Sequence, residues 1–140
     1  MKTLLTLAFA FMAFVPQAIA MDGSHDKMME KKPSVKAVVF FSENCGSCKI
    51  LDPKMKAAMK AVNTDAIEVV KLDFTSKETI EATKVLATDK ELGGLLQKFG
   101  AKTGFVTLVD ANGQILDKIG KNDTEAEIAS KIASAIITAS

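Results

Sequence analysis

Between Val35 and Phe41 the chain reads VKAVVFF, β-branched and aromatic residues with almost no polar interruption. A run of that length and character predicts a central strand buried on both faces. From Cys45 onward the spacing changes. Ile50, Leu51, Met55, Ala58, Met59 and Val62 recur every three or four residues, which predicts a helix that begins at the cysteines and carries Pro53 inside it as a kink. Ile67 to Phe74 (IEVVKLDF) predicts a second strand. Thr75 to Glu78 then offers a capping box for a helix over about Lys77 to Ala87, and Asp89 offers a cap for another that runs to Phe99 and stops at Gly100. Phe105 to Asp110 and Gln114 to Ile119 predict strands on either side of Asn112-Gly113, the strongest short-range hairpin signal. Thr124 and Glu127 form a second capping box ahead of a final helix through Ile137.

An order of strand, helix, strand, helices, hairpin, helix starts as a parallel βαβ unit and ends in an antiparallel pair. The expected fold class is therefore α/β, a central mixed sheet with flanking helices. In such sheets ligands and chemistry gather at the carboxyl ends of strands, which is where the cysteines fall. The first twenty residues have one basic residue, Lys2, an apolar run from Leu4 to Val15, then Pro16 and Ala18-Ile19-Ala20. This is the pattern of a secretory signal cleaved after Ala20. The apolar run is too short to span a bilayer, and no cysteine follows it to carry a lipid, so no stable membrane insertion is expected. Residues 21–33 (MDGSHDKMMEKKP) lack an apolar period and read as a flexible leader, leaving 34–140 as one domain.

Charge narrows the function. With Lys2 removed, basic and acidic groups balance, and the chain has no arginine, tryptophan or tyrosine. Bidentate phosphate recognition and aromatic stacking platforms are largely unavailable, so nucleic acid is excluded as a partner. Export places the protein in the periplasm or outside the cell, where a disulfide can form and persist.

The two cysteines, Cys45 and Cys48, lie in SENCGSCK with Asn44 before them and Gly46-Ser47 between them. Cys45 is placed just ahead of a helix, where unpaired amides and the macrodipole favour an anion and lower a thiol pKa from about 8.5 toward ~3.5–7.5. It is the expected thiolate. Cys48, one turn inside, is the expected buried partner that resolves a mixed disulfide. Three other readings compete. A structural disulfide across two residues gains little loop entropy. A closed zinc site needs four ligands, against two cysteines and the single His25. Two unrelated buried cysteines are not expected at a helix start. A redox centre suits the βαβ context best.

From Val35 to Ile137 the chain resembles the thioredoxin family. The resemblance rests on Cys45-Gly46-Ser47-Cys48-Lys49 after a buried strand, on Pro53 five residues after Cys48, on Val70-Lys71-Leu72-Asp73, and on Lys98-Phe99-Gly100 followed by Gly104-Phe105-Val106-Thr107-Leu108. It implies a thioredoxin-like three-layer fold and a thiol:disulfide oxidoreductase acting on protein or small thiol clients, with no organic cofactor. It also implies that Cys45, Cys48, Asn44, Gly46, Ser47, Lys71 and Val106 form or line the site. Lys71 is otherwise a strand lysine with its stem laid on the sheet. Departures are specific. Asn44 stands for the usual tryptophan, and Val39 for a buried carboxylate that assists proton transfer to and from the second thiol. Val106 aligns with a cis-proline opposite the cysteines. A cis bond before valine would cost about 2.5–4 kcal/mol, so a trans peptide and an altered loop facing the thiols are expected.

A second reading belongs to a different class. Met21, His25, Met28 and Met29 are ligands of the kind that suit copper, and with Cys45 and Cys48 they would make a periplasmic copper carrier. The plain alternative for these residues is a spacer behind the cleavage site. Met55 and Met59 read as core filling.

Overall fold

The computed structural model describes residues 32–140. The signal-like segment and the Met21, His25, Met28 and Met29 set lie outside the described residues. β1 (Val35–Phe41) is central, with β2 (Ile67–Asp73) parallel on one side and β3 (Phe105–Asp110) antiparallel on the other. β4 (Ile115–Gly120) pairs antiparallel with β3, giving the order β2-β1-β3-β4 and the mixed sheet that the element order implies. Helices α1 (Gly46–Met59) and α4 (Glu125–Thr138) cover one face; α2 (Lys77–Asp89) and α3 (Gly93–Phe99) cover the other. The fold is a thioredoxin-like three-layer α/β/α arrangement.

Alternation along β1 separates two cores. Val35, Ala37 and Val39 face α1 and α4, against Leu51, Met55, Ile128 and Ile132. Val38 and Phe40 face α2 and α3, where Phe40 stacks on Phe105 at 4.5 Å between ring centroids and meets the edge of Phe99 at 5.6 Å. Even Lys36 is buried, its ammonium reaching the Lys90 carbonyl at 3.1 Å at the end of α2.

Several local expectations change. The buried stripe of α1 is Cys48, Leu51, Met55 and Ala58, with Ile50 left on the exposed side and Val62 beyond the helix end. Cys48 takes the inward place because it, not Ile50, continues the three-and-four spacing of Leu51 and Met55. The α2 cap is Ser76, closed reciprocally by Thr79, because Thr75 is drawn away to Asp73. Asp89 caps nothing. It is the last residue of α2, after which Glu91 adopts φ 60° and Leu92 N–H bonds the Ala87 carbonyl at 2.7 Å, a Schellman ending that buries Leu92. α3 then starts at Gly93 without a side-chain cap.

Candidate active site

The site forms where β1 hands over to α1. Ser42 to Asn44 turn the chain, closed by Cys45 N–H to the Ser42 carbonyl at 3.1 Å and anchored by Glu43 N–H to Thr75 Oγ1 at 3.0 Å. Thr75 is itself held through its amide and hydroxyl by the Asp73 carboxylate, so the end of β2 fixes the loop that delivers the thiols. Cys45 is the N-cap of α1, in extended conformation, and its Sγ accepts the Cys48 N–H at 3.2 Å. Cys48 is only 5% exposed, and its Sγ lies 3.7 Å from the Phe40 carbonyl. Both are free thiols.

The two sulfurs ionise in opposite directions. Partial burial alone would raise the Cys45 thiol, but hydrogen bonds from Cys48, from Thr103 and from the Cys48 and Ser47 amides outweigh it and bring Cys45 below the usual thiol range. Burial pushes Cys48 up, and its bond to Cys45 pushes it further. An accessible thiol inclined to ionise is thus set beside a buried thiol inclined to keep its proton.

Thr103-Gly104 forms the opposite wall. Gly104 donates its N–H to the Phe40 carbonyl at 2.8 Å and has φ +93°. A Cβ there would come to 2.7 Å from Ser47 Cβ and 3.1 Å from Cys45 Sγ, so backbone conformation and close approach both demand glycine. The alignment with the family's proline places Val106 opposite the cysteines; in the structure the residue against Cys45 and Ser47 is Gly104. Val106 is a fully buried mid-strand residue, paired with Val39 and Ile119, whose side chain lies behind Cys48 in the space between α1 and the sheet. The strand period explains the difference, because the loop that faces the thiols ends at Gly104 and β3 begins at Phe105. The signal for it in the sequence was a glycine immediately ahead of a buried strand.

The remaining candidates are dispersed around the pair. Asn44 and Gly46 are exposed, while Ser47 packs on Gly104. Lys71 is half-exposed, 3.6 Å from the Asp73 carboxylate, with its ammonium 3.5 Å from the centre of the Phe41 ring. These contacts tie it to the end of β1 and not to either sulfur. Val39 lies beside Lys71 and Val106 in the sheet and shares the space behind Cys48, so its strand offers that thiol no carboxylate. Among the described residues no cluster of three or more His, Cys, Asp or Glu side chains could hold a metal ion, and no helix is long and apolar enough to cross a membrane.

A mixed α/β sheet that presents two cysteines at a helix N-terminus, one accessible and one buried, defines a thioredoxin-like protein. The thioredoxin family profile matches residues 17–88, just over half of the chain and inclusive of both cysteines. The chain belongs to the thioredoxin family. No curated protein matches its sequence. Among solved structures, StoA from Bacillus subtilis is similar at 17% identity and TM-score 0.50 over 72% of this chain and 84% of its own. The thioredoxin from Wuchereria bancrofti is similar at 18% identity and TM-score 0.50 over 79% of this chain and 85% of its own. These likenesses concern the fold.

Proposed function

We propose that the protein is an exported thiol:disulfide oxidoreductase that exchanges disulfides with protein or small thiol clients through Cys45 and Cys48. One observation carries the reading: an accessible thiol held below the ordinary pKa range caps the same helix turn that buries a second thiol held above it. In the reducing direction the Cys45 thiolate attacks a client disulfide, forming a Cys45–client bond and releasing one client thiolate. Cys48 then gives up its proton and attacks the Cys45 sulfur. The second client thiolate leaves and takes a proton, so the client is reduced to two thiols and Cys45–Cys48 is oxidised to a disulfide. Run backwards, the same steps oxidise a client; the relative stability of dithiol and disulfide sets the direction. No organic cofactor enters either step, and an external thiol or disulfide partner restores the pair.

Trapping tests the roles. Cys48→Ser should accumulate mixed disulfides with clients, and Cys45→Ser should not. Equal trapping by both, or by neither, overturns the assignment. Copper analysis of the reduced protein belongs to the same experiment, since tight one-to-one copper lost on deleting residues 21–32 would make the protein a carrier instead. Export rests on residues 1–20; intact mass of the exported chain should begin at Met21, and a species that keeps Leu4 to Val15 removes the periplasmic or secreted assignment.

A further inference from the structure

Behind the thiols, α1 and the sheet do not close on one another. An apolar cleft of about 550 Å³ separates them, walled by Leu51, Met55 and Met59 from the helix and by Val39, Val69 and Val106 from the sheet. Cys48 contributes to the same lining, so the cleft reaches the back of the buried thiol. β2 is an edge strand of the described sheet, and Val69 on it is 52% exposed. A closed dry void of this size would exceed the whole stability of a domain this small, so the space is an open cleft whose walls meet water unless something fills it. Its volume falls within the about 300–1,000 Å³ of small-molecule sites. The two methionine chains give a wall that adapts to a flexible alkyl ligand.

The polar lining is cationic on balance. Asp52, Lys56 and Lys60 complete it, and Asp52 is engaged by Lys56 at 2.6 Å. Lys60, one turn on, has no ion-pair partner among the described residues. An apolar cleft with an uncompensated lysine at its rim complements an alkyl chain that ends in an anion. We infer that this cleft binds a free single-chain amphiphile with a carboxylate head, its alkyl chain along Met55 and Met59 and its head at Lys60. The site does not depend on the redox reading, because it needs no exchange at either sulfur. Its occupant would lie against Cys48 and cover that thiol from behind.

Dodecanoate, kept below its micelle concentration, is the probe for calorimetry on the natively processed chain. One equivalent should bind saturably and slow alkylation of Cys48. Met59→Glu and Val69→Glu should each weaken binding by about tenfold or more, and Lys60→Glu severalfold, while Cys45→Ser, outside the lining, retains it. Dodecyltrimethylammonium should bind at least about tenfold more weakly than dodecanoate. Val69 is half-exposed, so its variant keeps the test valid even where Met59→Glu fails to fold. Absence of saturable binding, equal affinity for the cation, binding to vesicles alone, or wild-type affinity in the folded Val69→Glu variant overturns the proposal. Because Cys45 lies outside the cleft lining, Cys45→Ser loses exchange and yet is expected to bind, so failure of the cleft and failure of the oxidoreductase reading are separately visible.

Discussion

Cys45 caps α1 with its own sulfur, a position more often filled by serine, threonine, aspartate or asparagine. A thiolate accepts the Cys48 amide better than a thiol does, so capping and ionisation reinforce each other. Thr103, on the facing loop, lowers the Cys45 pKa in the same direction. Alkylation followed against pH should show Cys45 titrating below an ordinary thiol, and Cys48 above one. Thr103→Val should move the Cys45 midpoint upward while leaving Cys48 slow; an unmoved midpoint would remove Thr103 from the site. Linkage gives the two groups opposite signs. The depressed Cys45 contributes stability above its unfolded pKa, and that contribution is lost as pH falls through its folded pKa. The raised Cys48 contributes below its unfolded pKa, and its contribution is lost as pH rises through its folded pKa. In the alkaline range they oppose each other, so reactivity depends on pH more steeply than stability does.

β3 and the loop that leads into it divide two functions between neighbouring residues. Gly104 shapes the site, and Val106 holds the sheet. Val106→Pro removes a ladder donor in a strand paired on both sides, at a cost of about 2–4 kcal/mol from the lost bond and the acceptor left unpaired. Its exchange rate per folded molecule should stay near wild type. Gly104→Ala should cost a similar amount, about 2–4 kcal/mol from the positive φ and the contact with Ser47, but should also change exchange kinetics, since the added methyl presses on Cys45. Urea unfolding and disulfide-exchange rates on both variants check this. If Val106→Pro altered exchange per folded molecule and Gly104→Ala did not, the assignment would be reversed.

Across the whole molecule, two carboxylates brace the turns that follow β2 and β4. Burial would raise Asp73, yet its bonds from the Thr75 hydroxyl and amide, helped by Lys71, hold it below the usual carboxylate range. The Gly120 amide, with Lys131 and Lys54, does the same for Asp123 against the opposing effect of burial. Lys54 also reaches the Lys121 and Asp123 carbonyls at 2.8 and 2.9 Å, which ties α1 to the turn between β4 and α4. Both folded pKa values lie below the unfolded value of about 3.9, so the stabilisation is present above that pH and disappears as pH falls through the folded values. Urea midpoints should therefore drop between pH 7 and pH 3. The double variant Asp73→Asn, Asp123→Asn should begin lower at pH 7 and lose less on acidification; a loss equal to wild type would place the acid sensitivity elsewhere.

Local periodicity and capping chemistry are properties of neighbouring residues, and the sequence alone determined what depends on them. β1 from Val35 to Phe41, the Cys45 start of α1, β3 from Phe105 to Asp110 and the Thr124–Glu127 box are all present as read. The buried place of Cys48 was legible as well, because it completes the stripe of Leu51, Met55 and Ala58. Other outcomes needed partners far along the chain. Thr75 left the capping box because Asp73 and the Glu43 amide claim it, and Asp89 lost its cap role because burying Leu92 favours a Schellman turn. Only the packed sheet could show that Gly104, not Val106, meets Cys45, since that contact is a distance between a loop and a helix start more than fifty residues apart. The cleft behind Cys48 is likewise a gap between α1 and an edge strand, and gaps between elements leave no pattern within either one.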